Sequence, residues 1–281
     1  MKLRNDRMGK KYSGILLDNR GEIFWVTIHR PGDRNSIDSA LMKELGQVLT
    51  EAEKSRARAI IFTGAGNEYF IGGADGIEMM QCRPQGARAF SVRIQKLFNR
   101  MEDSPLILVA AINGFCFGGG FEFAMACDLR VASEEARIGL PEVKVGIIPG
   151  GGGTQRLPRL VGMGRALEMI LSGKLYKGKE AFEIGLVHSV APPDQLLGAA
   201  ERILEPVFRN PQHALSQAKK AVRSSARMTL AGGLRVESEA FSRCFENDYF
   251  LRLMRRQLRE GTLETTAKLP KRMLEEREGA L

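Results

Sequence analysis

Two short apolar segments, residues 59–63 and 106–112, each lead into a cluster of glycines, and this repeated pairing constrains the fold more than any other feature. Unbroken apolar runs of this length read as strands buried on both faces, the pattern of a parallel sheet. The first leads to Gly72-Gly73-Ala74-Asp75-Gly76. The second leads to Asn113-Gly114 and then Gly118-Gly119-Gly120. Small residues there let another group approach main-chain N–H donors, and a helix starting at the second cluster adds positive potential at its N-terminus. Two readings remain open for the loops alone: tight helix–strand packing, or a pair of donors converging on a developing oxyanion.

The surrounding elements agree with an α/β chain. Residues 14–18 and 22–29 read as strands around the turn Asn19-Arg20-Gly21. Ser36 is a candidate cap for a helix carrying Ile37, Leu41, Leu45, Val48 and Ala52 at helical spacing. Phe90, Ile94, Leu97 and Met101 mark a second helix. Residues 121–127 read as helix and 128–132 as strand. Residues 141–153 are irregular, with helices expected around 154–172 and 178–184 and a strand at 186–190. Beyond Pro192-Pro193 almost everything reads as amphipathic helix, which must pack on something. The expected organisation is a basic segment over 1–12, an α/β core over 13–200 and a helical region over 201–281.

Composition narrows the function. The chain has 281 residues and a net charge of +9, concentrated at its ends: about +4 over residues 1–11, +5 over 201–281, and near zero between. That distribution suits either anionic ligands near the termini or solvated helix faces. It carries no helix-turn-helix, zinc-finger or aromatic-interleaved basic motif, so nucleic acid is not the expected partner. The longest apolar run is 106–112, far short of the roughly 20 residues a spanning helix needs, and no secretory h-region follows the basic start. Cys82, Cys116, Cys127 and Cys244 lack metal-ligand spacing, so no metal site and no disulfide scaffold is expected. Reduced thiols fit a cytoplasmic location. No P-loop, dinucleotide fingerprint, nucleophile elbow or zinc-protease motif occurs. The glycine run 150–153, taken alone, reads as a loop that needs permissive backbone angles.

Two carboxylates stand in apolar surroundings. Glu122 follows Gly119 by three residues among Phe121, Phe123, Ala124 and Met125. Glu142 follows Ile138-Gly139-Leu140-Pro141. Desolvation raises a carboxyl pKa and suits it to acid–base work. A helix N-terminal charge for Glu122 and a salt-bridged core edge for Glu142 are the structural alternatives.

Together these motifs resemble the crotonase superfamily, and within it the enoyl-CoA hydratases. The resemblance is carried by Tyr69-Phe70-Ile71-Gly72-Gly73-Ala74-Asp75, by residues 113–122, by Cys127-Asp128-Leu129, by Pro141-Glu142 and by residues 146–157; Arg30-Pro31 with Asn35 is similar to the start of the family's coenzyme-A loop. It implies a spiral of ββα units followed by a helical trimerisation region, assembled as a trimer or a dimer of trimers. It implies an acyl-CoA thioester as substrate, coenzyme A being part of that substrate and no separate cofactor being needed. Its oxygen would be held by the N–H groups of Ala74 and Gly119, with Glu122 and Glu142 as the catalytic pair. Gly72, Ala74, Asp75, Gly76, Ile77 and Arg30 are the implied substrate contacts. Isomerases of the superfamily usually keep only the carboxylate matching Glu142, so a hydratase is the expected activity. A Δ3,Δ2-enoyl-CoA isomerase and an RNA-binding or scaffold protein retaining the fold are the rivals. The sequence over 245–263 departs from the family's usual run in the region that closes the acyl pocket.

Overall fold

The computed structural model describes residues 12–260 and 262. The chain divides into two units, one ending at Gln212 and the other beginning at His213.

In the first unit, β1 (Ile15–Arg20) and β2 (Ile23–Ile28) form an antiparallel hairpin. Gly21 supplies the positive φ of 72° in its turn. Next come α1 (Ser39–Glu53), β3 (Ala59–Gly64), β4 (Tyr69–Ile71), α2 (Gly76–Met80) and α3 (Pro84–Asp103). They are followed by β5 (Ile107–Ile112), β6 (Phe115–Phe117), α4 (Gly119–Ala126), β7 (Leu129–Ser133) and β8 (Arg137–Gly139). A 3-10 turn spans Glu142–Val145. Then α5 (Gly153–Val161), α6 (Met163–Ser172), β9 (Tyr176–Lys177), α7 (Gly178–Glu183), β10 (Ser189–Ala191), α8 (Leu196–Arg202) and α9 (Glu205–Phe208) complete the unit.

One sheet has the order β1-β2-β3-β5-β7-β10, parallel from β2 onward; the other has the order β4-β6-β8-β9. The chain alternates between them. A long strand in the first sheet is followed by a three-residue strand in the second: β3 then β4, β5 then β6, β7 then β8. Helices close the first two of these turns, so the architecture is the expected spiral of ββα units. Every residue of β3 and of β5 is buried, as their unbroken apolar character requires. Between the layers Phe62, Phe70 and Phe98 all meet Phe123 of α4, with ring centroids 5.0 to 6.1 Å apart.

Two local expectations are corrected. The cap of α1 is Asp38, whose side chain accepts from the Leu41 N–H; Ser36 is buried upstream, its own N–H bonded to the Asp33 carbonyl. The last strand begins at Ser189, because the Leu186 N–H still bonds the Ala181 carbonyl at the end of α7. The three-residue strands of the second sheet had no periodic signal to reveal them.

The second unit contains α10 (Gln212–Ser225) from its second residue, α11 (Leu230–Arg243) and α12 (Tyr249–Arg259). Thr229 caps α11 by accepting from Gly232. Among the described residues the expected helical character is present, and it begins within the first unit at α8. The basic segment over 1–11 and the basic pair Lys271 and Arg272 lie outside the described residues. No helix among the described residues is long and apolar enough to cross a membrane.

Candidate active site

The first glycine loop is held by a neighbouring stretch of chain. The Gly72 N–H donates to the Arg34 carbonyl at 2.9 Å, the Ile37 N–H to Gly73 O at 2.8 Å, and the Asp75 N–H to Ile37 O at 2.9 Å. In such a parallel bridge the groups of the residue opposite Ile37 point the other way. Ala74 is that residue, and its N–H has no protein partner among the described residues. Arg34 and Asn35, each with φ 54°, make the turn that lets residues 34–37 lie along the loop. Asn35 is 1% exposed. Its side chain accepts from the Arg30 N–H and donates to the carbonyls of Ala65 and Tyr69.

The second glycine loop meets the first. Gly118 has φ 57° and its N–H bonds the Gly139 carbonyl, which turns the chain from β6 into α4. Gly119 opens α4, so its N–H is one of the donors a helix leaves unpaired at its N-terminus. A Cβ on Gly119 would stand only 3.1 Å from the Ala74 nitrogen. Two free N–H groups therefore come together where the two loops touch.

Both carboxylates border this point. Glu122, in the first turn of α4, is 2% exposed. Its carboxylate accepts from the Gly151 N–H at 2.8 and 2.9 Å and from the Gly153 N–H at 2.6 Å. Burial raises its pKa, while those N–H groups and the charge of Arg156 oppose the rise. Glu142 opens the 3-10 turn, and its Oε1 would be 3.2 Å from a Cβ on Gly118. Its Oε2 is buried with no hydrogen-bond partner. Burial, then the negative charge of Glu122, pushes its pKa up to about 7. One carboxylate is pinned by donors that oppose the upward push of burial; the other has no donor on its Oε2 and is pushed up to about 7. That split is the pattern of a functional acid–base pair.

The remaining expected contacts separate. Asp75 caps α2 by accepting from the Glu78 N–H at 2.8 Å, Gly76 opens that helix, and Ile77 on it is exposed. Arg30 turns inward: its guanidinium lies 2.7 Å from Asp38, 2.9 Å from Asp33 and 3.9 Å from Asp75, and donates to the Ser36 carbonyl. Three carboxylates around one cation leave little charge for an outside anion.

Sequence reading missed the role of residues 150–153, which supply the donors to Glu122. It also missed the α3 side chains that hold them: Ser91 Oγ donates to Gly150 O at 2.6 Å and Gln95 Nε2 to the same oxygen at 2.8 Å. Their spacing on one helix face was visible, but nothing local said what that face met. Among the described residues no group of His, Cys, Asp and Glu is arranged to hold a metal ion.

A two-layer ββα spiral carrying paired N–H donors, one buried carboxylate and one half-buried carboxylate describes a class of α/β protein. The chain belongs to the enoyl-CoA hydratase/isomerase family, whose model matches residues 18–258. It is 41% identical over 237 residues to a short-chain-enoyl-CoA hydratase of Clostridium acetobutylicum, covering 84% of this chain and 91% of that one. It is 36% identical over 235 residues to a crotonyl-CoA hydratase of Syntrophomonas wolfei, covering 83% and 90%. The crystal structure of an enoyl-CoA hydratase from Bacillus anthracis superposes with a TM-score of 0.82 at 35% identity, over 89% of this chain and 97% of that one.

Proposed function

We propose that this chain adds water to the double bond of a short 2-enoyl-CoA thioester, giving the 3-hydroxyacyl-CoA. The observation that carries the reading is the division between the two carboxylates, with Glu122 fixed by two N–H donors and Glu142 half-buried with its Oε2 unpartnered. The relatives' names, short-chain-enoyl-CoA hydratase and crotonyl-CoA hydratase, supply the substrate class.

The thioester oxygen is placed between the Ala74 and Gly119 N–H groups. As C3 is attacked, charge flows to that oxygen, and donors already in place stabilise it without reorganisation; removing one such donor typically costs roughly 3–4 kcal/mol. Glu122 keeps lone pairs beyond those used by Gly151 and Gly153, so it can orient a water and take its proton as the oxygen bonds to C3. Glu142 delivers a proton to C2. Glu122 gains one proton and Glu142 loses one, and redistribution between the coupled pair restores the starting state. Coenzyme A enters as part of the substrate, and no other cofactor is needed.

We assign the chain to a homotrimer or a dimer of trimers. Met163, Leu167 and Leu171 recur every four residues on α6 and are all at least half exposed, a continuous apolar stripe that a monomer would leave in water. A cytoplasmic location is part of the same reading.

Crotonyl-CoA and hexenoyl-CoA, followed by loss of enoyl absorbance and by product identity, test the activity. The 3-hydroxyacyl products are expected without added metal or nicotinamide. Movement of a 3-enoyl double bond with no hydration would replace this reading with the isomerase.

A further inference from the structure

The glycine run that grips Glu122 is itself gripped from one side chain. Arg156 on α5 donates through Nη1 to the Gly151 carbonyl at 2.9 Å, through Nε to Glu102 Oε1 at 2.9 Å and through Nη2 to Asn99 Oδ1 at 2.7 Å. Its side chain is 14% exposed and that of Glu102 10%. Gly152 has φ 106°, and a Cβ there would overlap the guanidinium, so the loop is shaped around this one group. On α3 the residues Ser91, Gln95, Asn99 and Glu102 share one face and all bond to the loop or to Arg156. Phe90, Ile94, Leu97 and Met101 of the same helix are buried in the core.

We propose that Arg156, braced by Glu102 and Asn99, is a positioning residue that fixes the glycine loop so that the Gly151 and Gly153 N–H groups hold Glu122 in one orientation and ionised. The inference rests on the reading of Glu122 as the group that activates water. The planar fork meets its three acceptors from fixed directions; a lysine ammonium carries the charge without that geometry. Without the fork, the Gly151 carbonyl loses its donor and the Gly151 N–H is free to turn. A buried carboxylate whose donors are loosened takes up a proton and stops acting as a base.

The charged surroundings of Glu122 are few. Glu142 faces it from the 3-10 turn, and Arg156 acts on it from α5 with Glu102 behind. Arg130 sits at the opposite end of α4, donating to the Ala124 and Cys127 carbonyls. The strands β4, β5 and β6 that pack on α4 bring no charged side chain. Their titratable groups, Tyr69 and Cys116, are shifted upward by burial and stay neutral.

The test compares Arg156→Gln, Arg156→Lys and Glu102→Gln. Infrared titration follows protonation of Glu122, its band identified by loss in Glu122→Gln, beside kcat and KM. Arg156→Gln is expected to raise the Glu122 midpoint by about one pH unit, the size of effect a nearby opposite charge produces. Glu102→Gln keeps the Arg156 charge but releases its brace, and is expected to move the midpoint in the same direction by less. Arg156→Lys is expected to reduce kcat about tenfold or more with KM changed less than about twofold, the mark of an interaction that matters in the transition state. A purely electrostatic role for Arg156 would shift the two neutral variants in opposite directions, and that result overturns the proposal. So does an unchanged kcat in Arg156→Lys, which also decides the matter if Arg156→Gln does not fold. The infrared midpoint needs no turnover, so an inactive wild type would remove the hydratase reading while leaving the positioning test intact.

Discussion

The Gly151 N–H lies within hydrogen-bond distance of both carboxylate oxygens of Glu122, at 2.8 and 2.9 Å, across 29 residues of chain. A single amide straddling the carboxylate leaves the outer lone pairs open, and the Gly153 N–H takes one more position on Oε1. Glu142 has no such donor on its Oε2. The chemical inequality of two identical side chains comes from this difference in backbone surroundings.

That inequality sets a pH dependence of stability. The folded state holds the Glu142 pKa at about 7, above the ordinary 4.5. The folded protein therefore binds more protons than the unfolded chain between those values. This contribution disfavours folding progressively as pH rises from about 4.5 to about 7, and is constant above that. Glu142→Gln abolishes it. In urea titrations the variant should gain stability relative to wild type between pH 5 and pH 8; a constant difference would show that Glu142 does not titrate in this window.

Activity should follow a bell. On the acid side the rate requires ionised Glu122, and on the alkaline side it requires protonated Glu142, so the upper limb of kcat/KM should fall near pH 7. Glu142→Asp should move that limb while Asn35 variants should not. A profile flat from pH 6 to 9 would contradict the acid role of Glu142.

Asn35 carries a structural load that its sequence position conceals. It is buried, left-handed at φ 54°, and makes three side-chain hydrogen bonds that hold the chain beside the loop bearing Ala74. Asn35→Ala should cost about 2–4 kcal/mol, combining lost buried hydrogen bonds with a left-handed alanine. Asn35→Gly keeps the backbone conformation and should cost less. Thermal denaturation of the two variants gives the order; a smaller loss for alanine would argue against the backbone contribution.

The apolar stripe on α6 predicts assembly. Leu171 is 71% exposed on that stripe. Leu171→Glu should lower the mass measured by light scattering toward that of a single chain, with little change in far-UV circular dichroism. A monomeric wild type at micromolar concentration would sink the assignment.

Much of the site was legible because its chemistry is local. Glu122 three residues after Gly119, and Glu142 directly after Pro141, declare desolvated carboxylates from their neighbours alone. The buried strands β3 and β5 were equally plain, since no solvated face interrupts them. What stayed hidden depends on contacts between distant residues. The strands β4, β6 and β8 have three residues each, too few to show a period, and exist through mutual pairing. Ser36 and Asp38 are both good capping residues, and only the direction of the chain chooses between them. Arg156 and Glu102 are 54 positions apart, and no spacing rule links them. Arg30 shows the converse: the resemblance implied a substrate contact, and the fold surrounds it with Asp33, Asp38 and Asp75.

The central claim is that the two carboxylates do different work on one substrate, and the most direct measurement follows C2 proton exchange and hydration together. Crotonyl-CoA and its 3-hydroxy product are incubated in deuterated water with wild type, Glu122→Gln and Glu142→Gln, and both processes are read by NMR. Glu142→Gln should lose hydration and exchange alike. Glu122→Gln should slow hydration by roughly 10²–10⁴-fold, the usual worth of a positioned base, while part of the C2 exchange persists, because Ala74 and Gly119 still stabilise the enolate. Near-normal hydration in both variants would contradict the account and return the glycine loops to a packing role.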